Sequence, residues 1–132
     1  MTDVNTSAPE GGACHVIFKI LTPKEWADFR QATVFKGSAV DIVDGYIHLS
    51  TAAQARETAA KHFADQPAPI LAAVDRDSLG AALRWEPSRG GALFPHLYAP
   101  LPLSAVLWAK PVPKGPDGRH AFPPEVPEED GR

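Results

Sequence analysis

Short apolar runs alternate with segments of helical or turn character along the chain. Residues 15–21 (HVIFKIL) and 70–75 (ILAAVD) are rich in aliphatic and β-branched side chains, which predicts two largely buried strands. Apolar and polar positions alternate in residues 45–50 (GYIHLS), a pattern typical of a strand with one buried face. Shorter runs of the same kind predict strands at residues 83–86, 94–98 and 105–109.

Two helices are predicted where the sequence offers a side chain that can cap them. Thr22 is followed by Pro23 and then by Glu25, which combines proline at the first helical position with a capping box. This helix is expected to run to about residue 31. Thr51 and Gln54 repeat the capping box before an alanine-rich helix that runs to about residue 63. Strands interrupted by two helices indicate an α+β fold.

The two ends of the chain differ in composition from the segment between them. Residues 1–13 are small, polar and glycine-rich, and we expect a flexible leader there. Six of the fourteen prolines lie between Pro111 and the end, and proline blocks both helices and central strands. Residues 123–132 are therefore expected to form a disordered tail rich in proline and acidic residues. Residues 14–122 are predicted to form a single domain.

Composition excludes several classes of protein. Of the 132 residues 44% are hydrophobic, enough for a core, but no apolar run approaches the roughly 18–20 residues that cross a bilayer. The first residues lack the basic and apolar parts of a secretory signal. The single cysteine, Cys14, can form neither an internal disulfide nor a structural zinc cluster, so we expect a cytoplasmic protein.

The net charge of -3 comes from the ends of the chain. Residues 14–120 hold 12 basic and 10 acidic side chains, a net charge of about +2. This near-neutral balance gives little attraction to long nucleic acid, but it leaves room for a local anion site.

Two extended segments carry the residues best suited to chemistry. Side chains two apart on a strand share a face, so Tyr46, His48 and Ser50 are expected on one face, and His96 with Tyr98 on another. An imidazole titrates near neutrality and can move protons or polarise a hydroxyl. The hypothesis requires both segments to converge on one pocket. The alternative is that these histidines are simply solvated. No metal site is expected, because HExxH and comparable ligand spacings are absent from the sequence.

A second group of polar residues lies at residues 84–91. Arg84 and Glu86 share a strand face, where the guanidinium could fork onto a phosphate and the carboxylate could orient it or accept a proton. Arg89 precedes two glycines, which let backbone amides approach an anion closely. The alternative is an exposed, salt-bridged strand followed by a flexible loop.

These segments together resemble the bacterial domain-of-unknown-function family 952. The resemblance lies in residues 40–51 (VDIVDGYIHLST), 83–87 (LRWEP) and 93–98 (LFPHLY), with 115–120 (GPDGRH) fitting the family's C-terminal end. That family is grouped with the ADP-ribosyltransferases and the RNA 2'-phosphotransferases. The resemblance therefore implies a split, mixed β-sheet with flanking helices and a cleft for NAD, as co-substrate, or a related nucleotide.

The resemblance also implies roles for individual residues. His48 would bond a hydroxyl of the nicotinamide ribose, with Ser50 beside it, although Leu49 stands where glycine is usual. His96, or Tyr98 in its place, would pack against the nicotinamide. Arg84 or Arg89 would grip the pyrophosphate. Glu86 comes too early to match the catalytic glutamate of the toxin-like branch, so the chain resembles the two-histidine, phosphotransferase-like branch more closely.

Two other functions remain open from the sequence. The pairs His48–Ser50 and His96–Tyr98 loosely resemble the two His-x-Ser/Thr motifs of phosphoesterases in which one imidazole is the base and the other the acid. Alternatively, the protein is a non-catalytic module that binds a nucleotide or small anion. The expected partner is a small nucleotide-like ligand, an RNA end or a small anion, with no membrane. The sequence does not predict the oligomeric state.

Overall fold

The fold consists of three α-helices and eight strands within the part of the chain that is described. The computed structural model describes residues 15–87 and 91–127. Cys14, Arg89, the expected leader and residues 128–132 lie outside these ranges. The elements in chain order are β1 (Val16–Leu21), α1 (Pro23–Ala32), β2 (Val34–Phe35), α2 (Ala39–Asp44), β3 (Ile47–His48), α3 (Ala52–His62), β4 (Ile70–Asp75), a 3-10 segment (Arg76–Ala82), β5 (Leu83–Pro87), β6 (Leu93–Leu97), β7 (Leu101–Pro102), a 3-10 turn (Leu103–Ala105) and β8 (Val106–Pro111).

The strands form two three-stranded sheets, β1-β4-β8 and β3-β6-β5, and one two-stranded sheet, β2-β7. The α+β class is confirmed. Every pairing between these strands is antiparallel, so the described residues do not form the mixed sheet that the resemblance implies. The physical reason is that each helix connects strands of different sheets. None of them can therefore serve as the crossover that a parallel pair requires.

The central sheet β1-β4-β8 is covered on both faces. Ile17 and Leu21 of β1 belong to one apolar core, and Phe18 and Ile20 to a second core on the opposite face. The first core also contains residues of α1 and of the other two sheets, and the second contains the buried alanines of α3. Burial on both faces explains why β1 and β4 are nearly continuous apolar runs.

The predicted helix starts are confirmed. The side chains of Thr22 and Thr51 each accept a hydrogen bond from the backbone N–H three residues on. In return, the side-chain oxygens of Glu25 and Gln54 accept a hydrogen bond from the cap residue's own N–H. Each reciprocal pair satisfies two backbone groups that a helix start otherwise leaves without partners.

The segment before β3 differs from the prediction. A strand was expected over residues 45–50, but only Ile47–His48 forms one, because Gly45 ends α2 with a positive φ of 90°. The backbone N–H of Tyr46 also donates a hydrogen bond to the backbone carbonyl of Asp41 in that helix. Ser50 pairs with Phe18 of β1 in an isolated bridge. Helix α2 itself was not predicted.

Part of the expected tail is packed. Val126 is buried in the second core, and the guanidinium of Arg56 on α3 donates hydrogen bonds to the carbonyls of Val126 and Pro127. The chain is therefore packed at least as far as Val126, because this apolar side chain is buried with the alanines of α3. The expectation of a disordered tail stays a prediction for residues 128–132, which lie outside the described residues. Across the described ranges, no helix has both the length and the apolar character needed to span a membrane.

Candidate functional site

The two histidines singled out in the sequence lie opposite each other on neighbouring strands. β3 pairs with β6, and His48 is the direct cross-strand partner of His96. The centroids of the two imidazole rings are 5.7 Å apart. Ile47 and Leu97 on the same strands are buried in the first core, so the alternation of side chains directs both imidazoles to the other face.

Two tyrosines complete a group of four rings, Tyr46, His48, His96 and Tyr98, which we call the ring cluster. Tyr46 stacks on His96 with their centroids 4.0 Å apart, and its ring lies 4.7 Å from that of His48 and 5.2 Å from that of Tyr98. His96 is only 3% exposed. The two extended segments therefore converge, and Tyr46 covers His96.

A buried carboxylate orients the imidazole of His48. Asp41 lies on α2, where its side chain accepts a hydrogen bond from the backbone N–H of Ser38 to form a capping box. Its Oδ1 lies 2.6 Å from Nδ1 of His48 and also accepts a 3.1 Å bond from the backbone N–H of His48. Because a carboxylate only accepts, Nδ1 donates in this contact, and the ring is held in one orientation.

Lys19 of β1 balances the charge of Asp41. Its Nζ lies 3.0 Å from Oδ2 of Asp41 and donates to the carbonyl of His48, also at 3.0 Å. The side chains of Asp41 and Lys19 are 1% and 7% exposed. Burial by itself would raise the pKa of Asp41, but the bond from His48, the charge of Lys19 and backbone N–H groups outweigh it and hold that pKa well below its usual range. Asp41 is therefore ionised.

Asp44, one turn further along the chain, faces the second nitrogen of the same ring. Its Oδ2 lies 2.9 Å from Nε2 of His48, and both side chains are partly exposed. His48 therefore lies between two carboxylates, one deep in the protein and one towards solvent.

Glu86 of β5 orients the second histidine. Its Oε1 lies 2.8 Å from Nδ1 of His96 and accepts a 2.7 Å hydrogen bond from the hydroxyl of Tyr98. These two bonds lower the pKa of Glu86. Both histidines of the ring cluster are thus held through Nδ1 by a carboxylate.

The hydroxyls of both tyrosines have raised pKa values. For Tyr46 the causes are burial and the negative charges of Asp44, Glu86 and Asp41. For Tyr98 the main cause is the hydrogen bond that it donates to Glu86. Both hydroxyls therefore remain donors at neutral pH.

Positive charge lies at the outer edge of the ring cluster. The guanidinium of Arg84 is 4.9 Å from the centroid of Tyr98, in a cation–π position, and its side chain is exposed. A cavity of about 290 Å³ lies beside the two tyrosines of the ring cluster, whereas His48, His96 and Arg84 are not among its lining residues. It is lined by Lys36, Tyr46 and Tyr98, together with residues of α2 and the segment that follows β6.

Two predicted residues are not part of this arrangement. Ser50 is buried, and its hydroxyl lies 3.3 Å from that of Thr58 on α3. Arg89 lies outside the described residues. The structure thus brings His48, His96, Tyr98, Glu86 and Arg84 together and places Ser50 elsewhere.

Sequence reasoning missed Asp41, Asp44 and Lys19. The pattern Ser38–Asp41 was a visible signal, because it resembles a capping box with aspartate in the third position. A lysine inside the apolar run of β1 was a second signal, since a buried lysine needs a charged partner.

Comparison with known proteins identifies the family of the chain. The model of the family described as protein of unknown function (DUF952) matches residues 20–109, so the chain belongs to that family. No curated protein matches the chain.

Two solved structures of one relative are similar to the chain. The X-ray crystal structure of protein CC0527 from Caulobacter crescentus is 48% identical, covers 80% of this chain and 92% of its own, and has a TM-score of 0.76. The solution NMR structure of CC0527 is also 48% identical, covers 80% of this chain and 90% of its own, and has a TM-score of 0.72.

Proposed function

We propose that the protein binds NAD or a related nucleotide at the ring cluster and acts as an ADP-ribosyltransferase- or phosphotransferase-like enzyme. The observation that carries the proposal is the convergence of two carboxylate-oriented imidazoles, His48 and His96, with Tyr46 and Tyr98. Residues of different strands that meet with fixed orientations beside a cavity are typical of a binding site.

The imidazoles would hold the ribose. With Nδ1 of each ring bonded to a carboxylate, Nε2 is the nitrogen that can bond a ligand hydroxyl. At His96, which is 3% exposed, this requires the stacked ring of Tyr46 to move aside. For His48 this means that the hydroxyl takes the position of the Asp44 contact, and the freed carboxylate of Asp44 can accept from the same sugar. Positive charge that develops on the ribose as the bond to nicotinamide breaks would face Asp44 and Glu86.

The tyrosines and the outer cations suit the other parts of a nucleotide. A planar ring could stack on Tyr46 or Tyr98, and the guanidinium of Arg84 can bind a phosphate through two hydrogen bonds. Lys36 adds a second cation beside the cavity, and Arg89 is proposed for the same role as Arg84.

The size of the cavity limits what it can enclose. Its volume of about 290 Å³ is just below the range of about 300–1,000 Å³ that is typical of small-molecule pockets. It therefore suits one nucleoside-sized half of a dinucleotide, with the remainder lying along the edge marked by Arg84.

Calorimetric titration with NAD and with ADP-ribose tests the proposal. We expect binding by the wild type, a loss of at least about tenfold in affinity for His48→Ala, and no change for His15→Ala. His15 is a fair control because it is a histidine outside the ring cluster, paired with Asp77 at the start of β1. Absence of binding at millimolar ligand, with His48→Ala behaving like wild type, would reject the proposal.

Turnover assays separate an enzyme from a binding module. Release of nicotinamide from NAD, or removal of phosphate from 2'-phosphorylated RNA, would identify the reaction. Affinity that depends on His48 without product in either assay would support the non-catalytic alternative.

A two-histidine phosphoesterase is a second candidate, favoured by one distance. The imidazole centroids of His48 and His96 are 5.7 Å apart, short enough for the two rings to flank a single phosphate once the ring of Tyr46, which contacts both, moves aside. Hydrolysis of a nucleoside 2',3'-cyclic phosphate, with a bell-shaped pH dependence that is lost in both His48→Ala and His96→Ala, is the expected result. No hydrolysis by the wild type would exclude this reaction.

A further inference from the structure

A second and larger cavity lies against α3. Its volume is about 980 Å³, and its walls are α3 and residues 114–122. Helix α3 covers the face of the central sheet that presents Phe18 and Ile20, whereas Lys19, which contacts Asp41, is on the opposite face of β1. The two cavities are therefore on different sides of this sheet.

The motif at residues 115–120, which the proposed function does not use, builds one wall. Its backbone closes on itself, since the N–H of Gly115 bonds to the carbonyl of Arg119 at 2.7 Å and the N–H of Gly118 bonds to that of Gly115 at 3.0 Å. Oδ1 of Asp117 accepts from the backbone N–H of Arg119. The wall is thus a fixed turn of small residues. It faces the exposed Ala60 of α3 and the exposed Ala64, which follows the helix, and space is left between them.

The side chains at the edge of this cavity are mainly cationic, and their charge is not neutralised within the described residues. Arg56 donates to the carbonyls of Val126 and Pro127, and Lys114 donates to the carbonyl of Ala64. These partners are dipoles without net charge. In residues 15–87 and 91–127, no carboxylate lies within ion-pair distance of Arg56, Lys114 or Arg119.

The two carboxylates that also line the cavity have other partners. Glu57 pairs with Lys61 at 3.0 Å, and Asp117 accepts a hydrogen bond from the backbone N–H of Arg119. Phe122 adds an aromatic surface, with the guanidinium of Arg56 4.8 Å from its ring centroid. The cavity therefore combines positive charge with an apolar, partly aromatic wall.

We propose that this cavity is a binding site for an organic anion that joins a phosphate to an aromatic or apolar group. The phosphate would lie against Arg119, whose guanidinium can bind it through two hydrogen bonds, with Arg56 and Lys114 adding attraction. The apolar part would lie on Phe122, Ala60 and Ala64. This site is independent of the function proposed for the ring cluster.

Titration with phenyl phosphate, followed by backbone amide NMR, tests the site. We expect saturable shifts at residues 115 and 117–119 and at residues 60–64, with weaker binding of inorganic phosphate and of phenol. Arg119→Gln should weaken phenyl phosphate roughly tenfold, the effect of losing about one charge-assisted hydrogen bond. Ala60→Phe, which fills the cavity from an exposed helix position, should abolish the shifts.

Two variants serve as controls. Lys24→Gln removes an exposed cation that pairs with Asp28 outside the cavity and should bind like wild type. His48→Ala should also bind like wild type, because the ring cluster is not involved. The proposal is overturned if phenyl phosphate does not bind at millimolar concentration, if Arg119→Gln and Lys24→Gln bind equally well, or if the shifts map to the ring cluster.

Discussion

Asp41 is the residue on which the geometry of the ring cluster depends. Its Oδ1 is hydrogen-bonded to Nδ1 of His48, and its Oδ2 pairs with Nζ of Lys19. Oδ2 also accepts a hydrogen bond from the backbone N–H of Ser38, which completes the capping box at the start of α2. A buried charge with several partners is stable only while all of them are present. If one partner is lost, the desolvation free energy of the unpaired group is no longer offset by an interaction in the protein.

Asp41→Asn should therefore destabilise the protein strongly. The substitution leaves Lys19 charged and buried without its counter-ion, which typically costs about 3–5 kcal/mol. Asp28→Asn is the matched control, since Asp28 pairs with Lys24 on the surface and such pairs contribute at most about 1 kcal/mol. Urea unfolding at neutral pH measures both, and equal losses would contradict the assigned role of Asp41.

The same residue predicts how stability depends on pH. Because folding lowers the pKa of Asp41 from 3.8, its contribution is fully present above that value and is lost as the pH falls towards the folded-state pKa. Urea midpoints below pH 3.8 should fall more steeply for the wild type than for Asp41→Asn. Parallel curves would mean that Asp41 is not held ionised by Lys19 and His48.

Tyr46 controls access to His96. Its ring stacks on an imidazole that is almost fully buried. Tyr46→Ala should increase the rate at which diethyl pyrocarbonate modifies His96 severalfold, as followed by mass spectrometry. Tyr46→Phe keeps the stacked ring and should react like wild type; an unchanged rate in Tyr46→Ala would show that another group covers His96.

Among the elements, α2 is the one that assembles the site. It carries Asp41 and Asp44 one turn apart, so one carboxylate reaches each nitrogen of His48. Gly37 precedes it with a φ of 125°, and a Cβ there would lie 2.9 Å from Cβ of Asp41. The close approach of the chain to Asp41 therefore requires glycine.

Gly37→Ala tests this packing. It should cost about 1–3 kcal/mol more than Gly118→Ala, because the extra methyl group must displace Asp41. Gly118 is the control, since it also has a positive φ, 81°, but has open space around its Cβ position. If chemical denaturation gives the same loss for both, the strained backbone alone accounts for the effect and Asp41 is not displaced.

The elements differ in how far the sequence could predict them. Helices α1 and α3 and strand β4 were predictable because their caps and apolar runs act locally. Helix α2 was not, since it has only six residues and exposes Val40, Ile42 and Val43, so it lacks the apolar stripe that marks a packed helix.

The site shows the same division between local and distant interactions. The shared faces of His48, His96 and Tyr98 follow from the alternation of strand side chains. The contacts of Lys19 with Asp41 and with the carbonyl of His48 span 22 and 29 residues, so no local pattern could reveal them. The pairing of β3 with β6 is equally non-local, and this pairing is what places His48 directly opposite His96.

At the scale of the whole molecule, the central sheet separates two different surfaces. The ring cluster belongs to the side of α2 and of the sheet β3-β6-β5, and the cationic cavity to the side of α3. The segment after β8 completes the second side, where Val112 and Val126 enter the core. The protein is thus built in layers, with a candidate site on either side of one buried sheet.

Val126→Ala should show that the C-terminal segment contributes to the stability of the domain. Val126 is 3% exposed, and losing most of its buried side chain should cost about 1.5–3 kcal/mol. Val43 is 83% exposed, so Val43→Ala should stay within about 0.5 kcal/mol of wild type. Thermal unfolding that shifts equally in the two variants would mean that Val126 is not packed in solution.

Imidazole NMR during a titration with ADP-ribose tests most directly whether the ring cluster is a ligand site. The side-chain nitrogen signals of His48 and His96 should shift together and saturate, while those of His15 and His120, which lie outside the ring cluster, stay in place. If no imidazole signal responds at millimolar ADP-ribose, or if only His120 beside the second cavity responds, the ring cluster does not bind this nucleotide.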